Sequence, residues 1–182
     1  MAAFLILSGL IMVWPTAKQD VESGPDQGKK APALKVFAAT GPNQDKEVDY
    51  VAERKDKPTI YVFLQADKWD RPMARFLRTL DETVLKENED AYVVAVWLTE
   101  DADKTKSYLP RAQQSLKLQN TALTLFPGES AGPKDWAVNA DAHVTAVVVN
   151  KARVAKRFGY RSINETDAPA VREALKKALH EK

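Results

Sequence analysis

The chain has 182 residues, 45% of them hydrophobic, with 27 basic and 25 acidic side chains and a net charge of +2. That length suits one domain with a short extension, and the charge balance gives no reason to expect nucleic acid or an anionic membrane surface as a partner. There is no cysteine, and only His143 and His180 offer an imidazole, which excludes disulfides, thiolate catalysis, iron–sulfur clusters and cysteine-ligated zinc; no metal or other cofactor is expected.

Residues Ala2–Trp14 are apolar or small throughout. The run falls short of the roughly 20 residues a spanning helix needs and has the length of the apolar region of an export signal, with Pro15-Thr16-Ala17 ahead of a cleavage point. No Lys or Arg stands between Met1 and this run as the basic start of an export signal. Residues 1–17 therefore read as a signal peptide or a membrane anchor, with an ordinary core segment as the remaining alternative. The protein is expected to be exported, periplasmic or secreted, and to meet a membrane only through this segment. Lys18–Lys30, rich in Gly, Pro, Asp and Lys, reads as a flexible linker. Residues 31–182 read as the folded domain.

Leu34–Ala38 and Glu47–Tyr50 read as a small N-terminal hairpin around the turn signal Thr40-Gly41-Pro42-Asn43. Thr59–Leu64 is uncharged, β-branched and aromatic, as a strand covered on both faces would be. Met73, Phe76, Leu77, Leu80 and Val84 then recur at helical spacing. Ala91–Leu98 is a second buried strand. Lys104–Leu118 is a moderately amphipathic helix weakened at Pro110. Thr121–Phe126 is a short strand, and Ser130–Asn139 a loop with at most a short helix around Trp136 and Val138. Val144–Val149 and Val154–Phe158 form an antiparallel pair around Asn150–Arg153. Asp167 is expected to cap a last helix, Ala168–His180. This order predicts an α/β fold, a mixed sheet with helices on both faces.

Between the first core strand and its helix stands Trp69-Asp70-Arg71-Pro72-Met73. It resembles the active-site turn of the thioredoxin-like superfamily, Trp-Cys-x-Pro-Cys, with Asp70 and Met73 at the cysteine positions. Gly28-Lys29-Lys30-Ala31-Pro32 and the ending Val144-Thr145…Asn150-Lys151-x-x-Val154…Phe158-Gly159 are similar to the TlpA and peroxiredoxin (AhpC/TSA-type) branch. The resemblance covers about residues 28–180. It implies a thioredoxin-like fold with an N-terminal hairpin extension. Val144 stands where the family places a cis-proline, and Ala152 or Arg153 where it places a hairpin glycine.

Asp70 is neither a redox group nor a soft nucleophile; its simplest role is to cap the helix, worth about 0.5–2 kcal/mol. Met73 can only pack or be oxidised. Val144 prefers a trans bond by roughly 2.5–4 kcal/mol. Trp69 either covers the edge of the core or forms a recognition surface. Arg71, Arg75 and Arg78 recur on one side of the helix, as a solvated face or, less simply, as a surface for an acidic partner. His143 precedes Val144-Thr145 and, on the family's plan, faces the Trp69–Met73 turn. Its default is an ordinary loop histidine. A hydrolytic or lyase pairing of Asp70 with His143 is the outlying alternative. Asn164-Glu165-Thr166 matches a glycosylation sequon. No residue is assigned a catalytic role. Trp69, Asp70, Arg71, Pro72, Met73, His143, Val144 and Thr145 form the candidate binding surface of a redox-inactive protein that recognises a protein or peptide. The resemblance also implies a family oxidoreductase, which without cysteine would need a partner to supply the thiols.

Overall fold

The computed structural model describes residues 21–128 and 132–180. Expectations for residues 1–20, and for the first part of the loop after Phe126, fall partly or wholly outside these. The chain runs β1 (Lys35–Ala38), β2 (Lys46–Asp49), α1 (Tyr50–Arg54), β3 (Thr59–Gln65), α2 (Arg71–Val84), β4 (Tyr92–Thr99), α3 (Ala102–Leu116), β5 (Thr121–Pro127), β6 (Val144–Asn150), β7 (Arg153–Tyr160) and α4 (Ala168–His180). One seven-stranded sheet results, in the order β2-β1-β5-β4-β3-β6-β7. β3, β4 and β5 are mutually parallel, whereas β6 and β7 return antiparallel. Every residue of β3 is buried, which is why its sequence lacks the alternation of a half-exposed strand.

The two faces are covered differently. Phe76 and Leu80 of α2, Leu109 of α3 and Val171 and Leu175 of α4 share one core with Val62, Leu64, Ala95 and Ala146. All three long helices thus lie on one face; α2 and α3 do so because successive right-handed crossovers β3-α2-β4 and β4-α3-β5 step in one direction across the sheet, and α4 joins them through the shared core. The other face packs on Leu34, Tyr50, Val51, Trp136 and Val138. Helix there is limited to the five residues of α1 and a 3-10 turn at Lys134–Trp136.

Several local expectations are corrected. Tyr50 opens a helix instead of ending a strand, because Asp49 Oδ1 accepts from Val51 N and Ala52 N and also from Leu34 N. α3 spans Pro110 as expected, but begins and ends two residues earlier, at Ala102 and Leu116. The missing donor costs its partner carbonyl on exposed Lys106, where water can replace it. The cap before α4 is Asn164, which accepts from Thr166 N at 2.8 Å, while Asp167 Oδ2 accepts from Asn164 N in a capping box. The sequon asparagine is therefore engaged in its own turn. In the β6–β7 hairpin, Lys151 and Ala152 both take positive φ, 51° and 54°, the conformation a two-residue turn between twisted strands requires.

The described part of the expected linker, residues 21–30, is a strap, not a flexible tether. Gly28 N donates to Val154 O and Val154 N to Lys29 O, Ala31 N donates to Ala152 O, and Lys30 bridges Arg153. These bonds cover the otherwise open edge of β7. The Ser23 hydroxyl is buried against that of Thr145 at 2.6 Å and accepts from Asn139 N. Arg157 donates to Gly24 O at 2.6 Å and pairs with Asp26 and Glu22. Gly159 lets the strap approach: a Cβ there would lie 2.2 Å from Val21 O. Linker composition was matched by this segment, but polarity alone does not reveal a backbone whose partners lie on a distant strand.

Candidate binding site

The carboxyl ends of parallel strands leave a crevice where the following loops diverge, and β3, β4 and β5 end together here. The chain leaves β3 through a 3-10 turn, Ala66–Lys68, and enters α2 at Asp70. Asp70 is extended, at φ −140°, and its Oδ1 accepts from Met73 N at 2.9 Å. The carboxylate that replaces the thiol position is thus the helix cap. Asp67 does not share that task and pairs with Lys68 at 2.6 Å. Pro72 lies in the first turn, where no donor is lost.

Trp69 is half-buried. Its indole meets Trp97 of β4 at 4.9 Å between centroids and 60° between planes, a tilted contact within the range where aromatic pairs attract. Its Nε1–H donates to Tyr108 Oη on α3 at 2.7 Å. Trp97 is buried, whereas Tyr108 is among the few large apolar side chains left exposed. The Trp69–Tyr108 bond forms a bridge with a hollow on each side. One, of about 580 Å³, lies between α2 and α3 and is lined by Asp70, Arg71, Ala74, Arg111, Ala112, Ser115 and Leu116. The other, of about 640 Å³, lies over the strand ends and is lined by Gln65, Ala66, Thr99, Glu100, Asp101, Lys104 and Gly128 among others. Thr99 and Thr105 hydroxyls bond to each other at 2.9 Å within its wall, and Asp101 caps α3 through Lys104 N.

The candidate residues divide. Trp69, Asp70, Arg71 and Pro72 are at least partly exposed around the bridge. Met73 and Val144 are core residues, and Thr145 is fully buried on Ser23. These three present no side chain to a partner. All peptide bonds of the described residues are trans, and Val144 simply pairs with Leu64 and Tyr160 in the sheet. His143 O accepts from Gln65 N at 3.0 Å, so this backbone adjoins the turn as the family plan requires. The His143 ring, however, lines neither hollow, and no hydrogen bond or ion pair joins it to Asp70. With Asp70 held as a cap, the outlying acid–base pairing loses its geometry. Of the arginine stripe, Arg75 pairs with Glu165 at 3.0 Å and Arg78 with Glu82 at 2.7 Å; only Arg71 turns into a hollow.

Sequence reasoning missed Trp97, Tyr108, Arg111 and Lys104. The last three recur at positions i, i+4 and i+7 of α3 when counted from Lys104, a helical face visible in the sequence. Nothing in the sequence says that this face meets Trp69. Burial raises the pKa of Tyr92, pushes that of Tyr50 up to about 12 and that of Tyr61 further, and lowers that of Arg54. Arg54 binds Thr59 and Pro58 O at the start of β3, the end of the sheet away from the Trp69 turn. Among the described residues no group of three acidic or histidine side chains is placed to hold a metal ion.

The whole arrangement matches solved structures. A secreted thiol-disulfide isomerase from Corynebacterium glutamicum superposes with a TM-score of 0.60 at 13% identity, covering 93% of this chain and 98% of that one. A DsbF homologue from Corynebacterium diphtheriae gives 0.58 at 20% identity, covering 90% and 97%. A peroxiredoxin-like protein from Aquifex aeolicus gives 0.57 at 14% identity, covering 89% and 90%. The fold is thioredoxin-like. No protein-family model and no curated protein matches the sequence. On this thioredoxin-like frame the Trp69 turn occupies the strand-to-helix junction that the sequence resemblance implied, without any of its sulfur chemistry.

Proposed function

We propose that the protein is a redox-inactive, thioredoxin-like module that binds an extended protein or peptide segment across the Trp69–Tyr108 bridge. The observation that carries this reading is Trp69 itself: a half-exposed indole, fixed by Trp97 and Tyr108, with a hollow on either side. Rigid, partly desolvated aromatic anchors of this kind supply most of the energy of peptide interfaces. The chain holds no thiol to pass electrons, so recognition is the use of the turn that its residues still support. The resemblance to secreted and Dsb-type structures and the apolar run Ala2–Trp14 support export. Amino-terminal sequencing of the mature protein from an envelope fraction should begin after residue 17, and an intact Met1 in a soluble cell fraction contradicts export.

The binding reading is tested with end-blocked peptides selected from a random extended library on the wild-type protein. Trp69→Ala should weaken their binding at least about tenfold by isothermal titration while leaving the protein folded by circular dichroism. Failure to select any peptide, or undiminished binding by the folded variant, overturns the proposal.

A further inference from the structure

The two hollows beside the bridge differ in charge, and this bears on what the peptide must contain. In the hollow between α2 and α3, Arg71 and Arg111 face a single acid, Asp70, whose Oδ1 is held by Met73 N. Arg71 and Arg111 are both exposed, and neither pairs with a carboxylate of the described residues. Arg111 spends only its Nε–H, on Ser107 O at 3.3 Å. The contrast with Arg75 and Arg78 is informative, since each of those has its own glutamate. The hollow over the strand ends holds Asp67, Glu100 and Asp101 beside Lys104 and Arg111; Asp67 is paired with Lys68 and Asp101 caps α3, so Glu100 is the acid there without a partner among the described residues.

We infer, building on the peptide-binding reading above, that the α2–α3 hollow receives the side-chain carboxylate of a Glu or Asp adjacent to the peptide's apolar anchor. A guanidinium presents paired N–H donors that match a carboxylate, and the apolar floor of Ala74, Ala112 and Leu116 reduces competition from water. The same acidic residue on the other side of the anchor would meet Glu100, which has no cation of its own among the described residues, and gain no paired guanidinium. The site therefore reads charge with direction: acid on the α2–α3 side of the bridge, and never on the strand-end side.

The test uses the full chain and acetylated, amidated nonapeptides with a central Leu, in which Glu, Gln or Lys is placed on one side or the other. Glu on one side only should bind about fivefold more tightly than Gln, in the range of a partly exposed ion pair. Arg71→Gln and Arg111→Gln should each weaken the Glu peptide more than the Gln peptide, so that the ratio of the two affinities falls toward one. If Glu and Gln bind alike on both sides while Trp69→Ala still weakens both, peptide binding stands and this inference falls. If a Gln peptide with a free terminal carboxylate binds more tightly than the blocked Glu peptide, the ligand is a chain terminus and the side-chain assignment is overturned. If no peptide binds wild type, this inference falls together with the reading beneath it.

Discussion

Trp136→Ala should destabilise the protein by about 4 kcal/mol, the cost of truncating a fully buried aromatic side chain. Trp136 is 0% exposed and lies 5.0 Å, between centroids, from both Tyr61 and Phe63 of β3. Its Nε1–H donates to Ala33 O at 3.1 Å. Truncation opens a cavity under the central strand and leaves that carbonyl unpaired. It also loosens the loop on which the strap rests, since Gly24 N donates to Ala137 O and Asn139 N to the Ser23 hydroxyl. For a domain of this size the loss corresponds to a fall in Tm on the order of 10 °C. Urea unfolding followed by far-ultraviolet circular dichroism measures it. A loss below about 1 kcal/mol would show that the loop is a lid on the core, not part of it.

The second large effect is expected at Asp81. This carboxylate is 4% exposed within the buried stripe of α2. Oδ1 accepts from Asn120 N at 2.7 Å, Thr121 Oγ1 at 2.7 Å and Gln119 N at 3.1 Å, and Oδ2 also accepts from Gln119 N. It ties the carboxyl-terminal half of α2 to the entry of β5. Asp81→Ala strands two backbone donors and a hydroxyl in a dry environment, which costs about 3 kcal/mol. Asp81→Asn should fall between the two, because one acceptor oxygen survives while its amide sets donor against donor. The ordering wild type, Asn, Ala in urea midpoints checks the assignment. An Ala variant as stable as wild type would mean that water satisfies these groups equally well.

Asp81 also illustrates what was legible. Leu77, Leu80 and Val84 mark the apolar face of α2 by spacing, and Asp81 falls among them at i+4 from Leu77. A charged residue on an apolar stripe signals a buried polar contact. Its partners, on a segment reached only after another strand and helix, cannot be read from α2. Trp136 is a similar case. The loop around it carried no periodicity, so its place at the centre of the second face was invisible, although a tryptophan within a polar loop is itself a hint of burial. The turn at Trp69–Met73 was readable because all its determinants are local: an uncharged strand, an Asp cap, a Pro in the first helical turn and an apolar face behind.

From the sequence alone follow the absence of thiol chemistry, the alternation of strands and helices, the thioredoxin-like order and the capping role of Asp70. Each depends on composition or on residues within one or two turns of each other. Tertiary structure decided that Tyr108 and Arg111 join Trp69, that Thr145 is covered by Ser23, and that residues 21–30 are strapped to β7. Those outcomes depend on which strands become neighbours and on which face each crossover helix lands. They are set by the packing of the whole sheet, and no short window of sequence contains both partners.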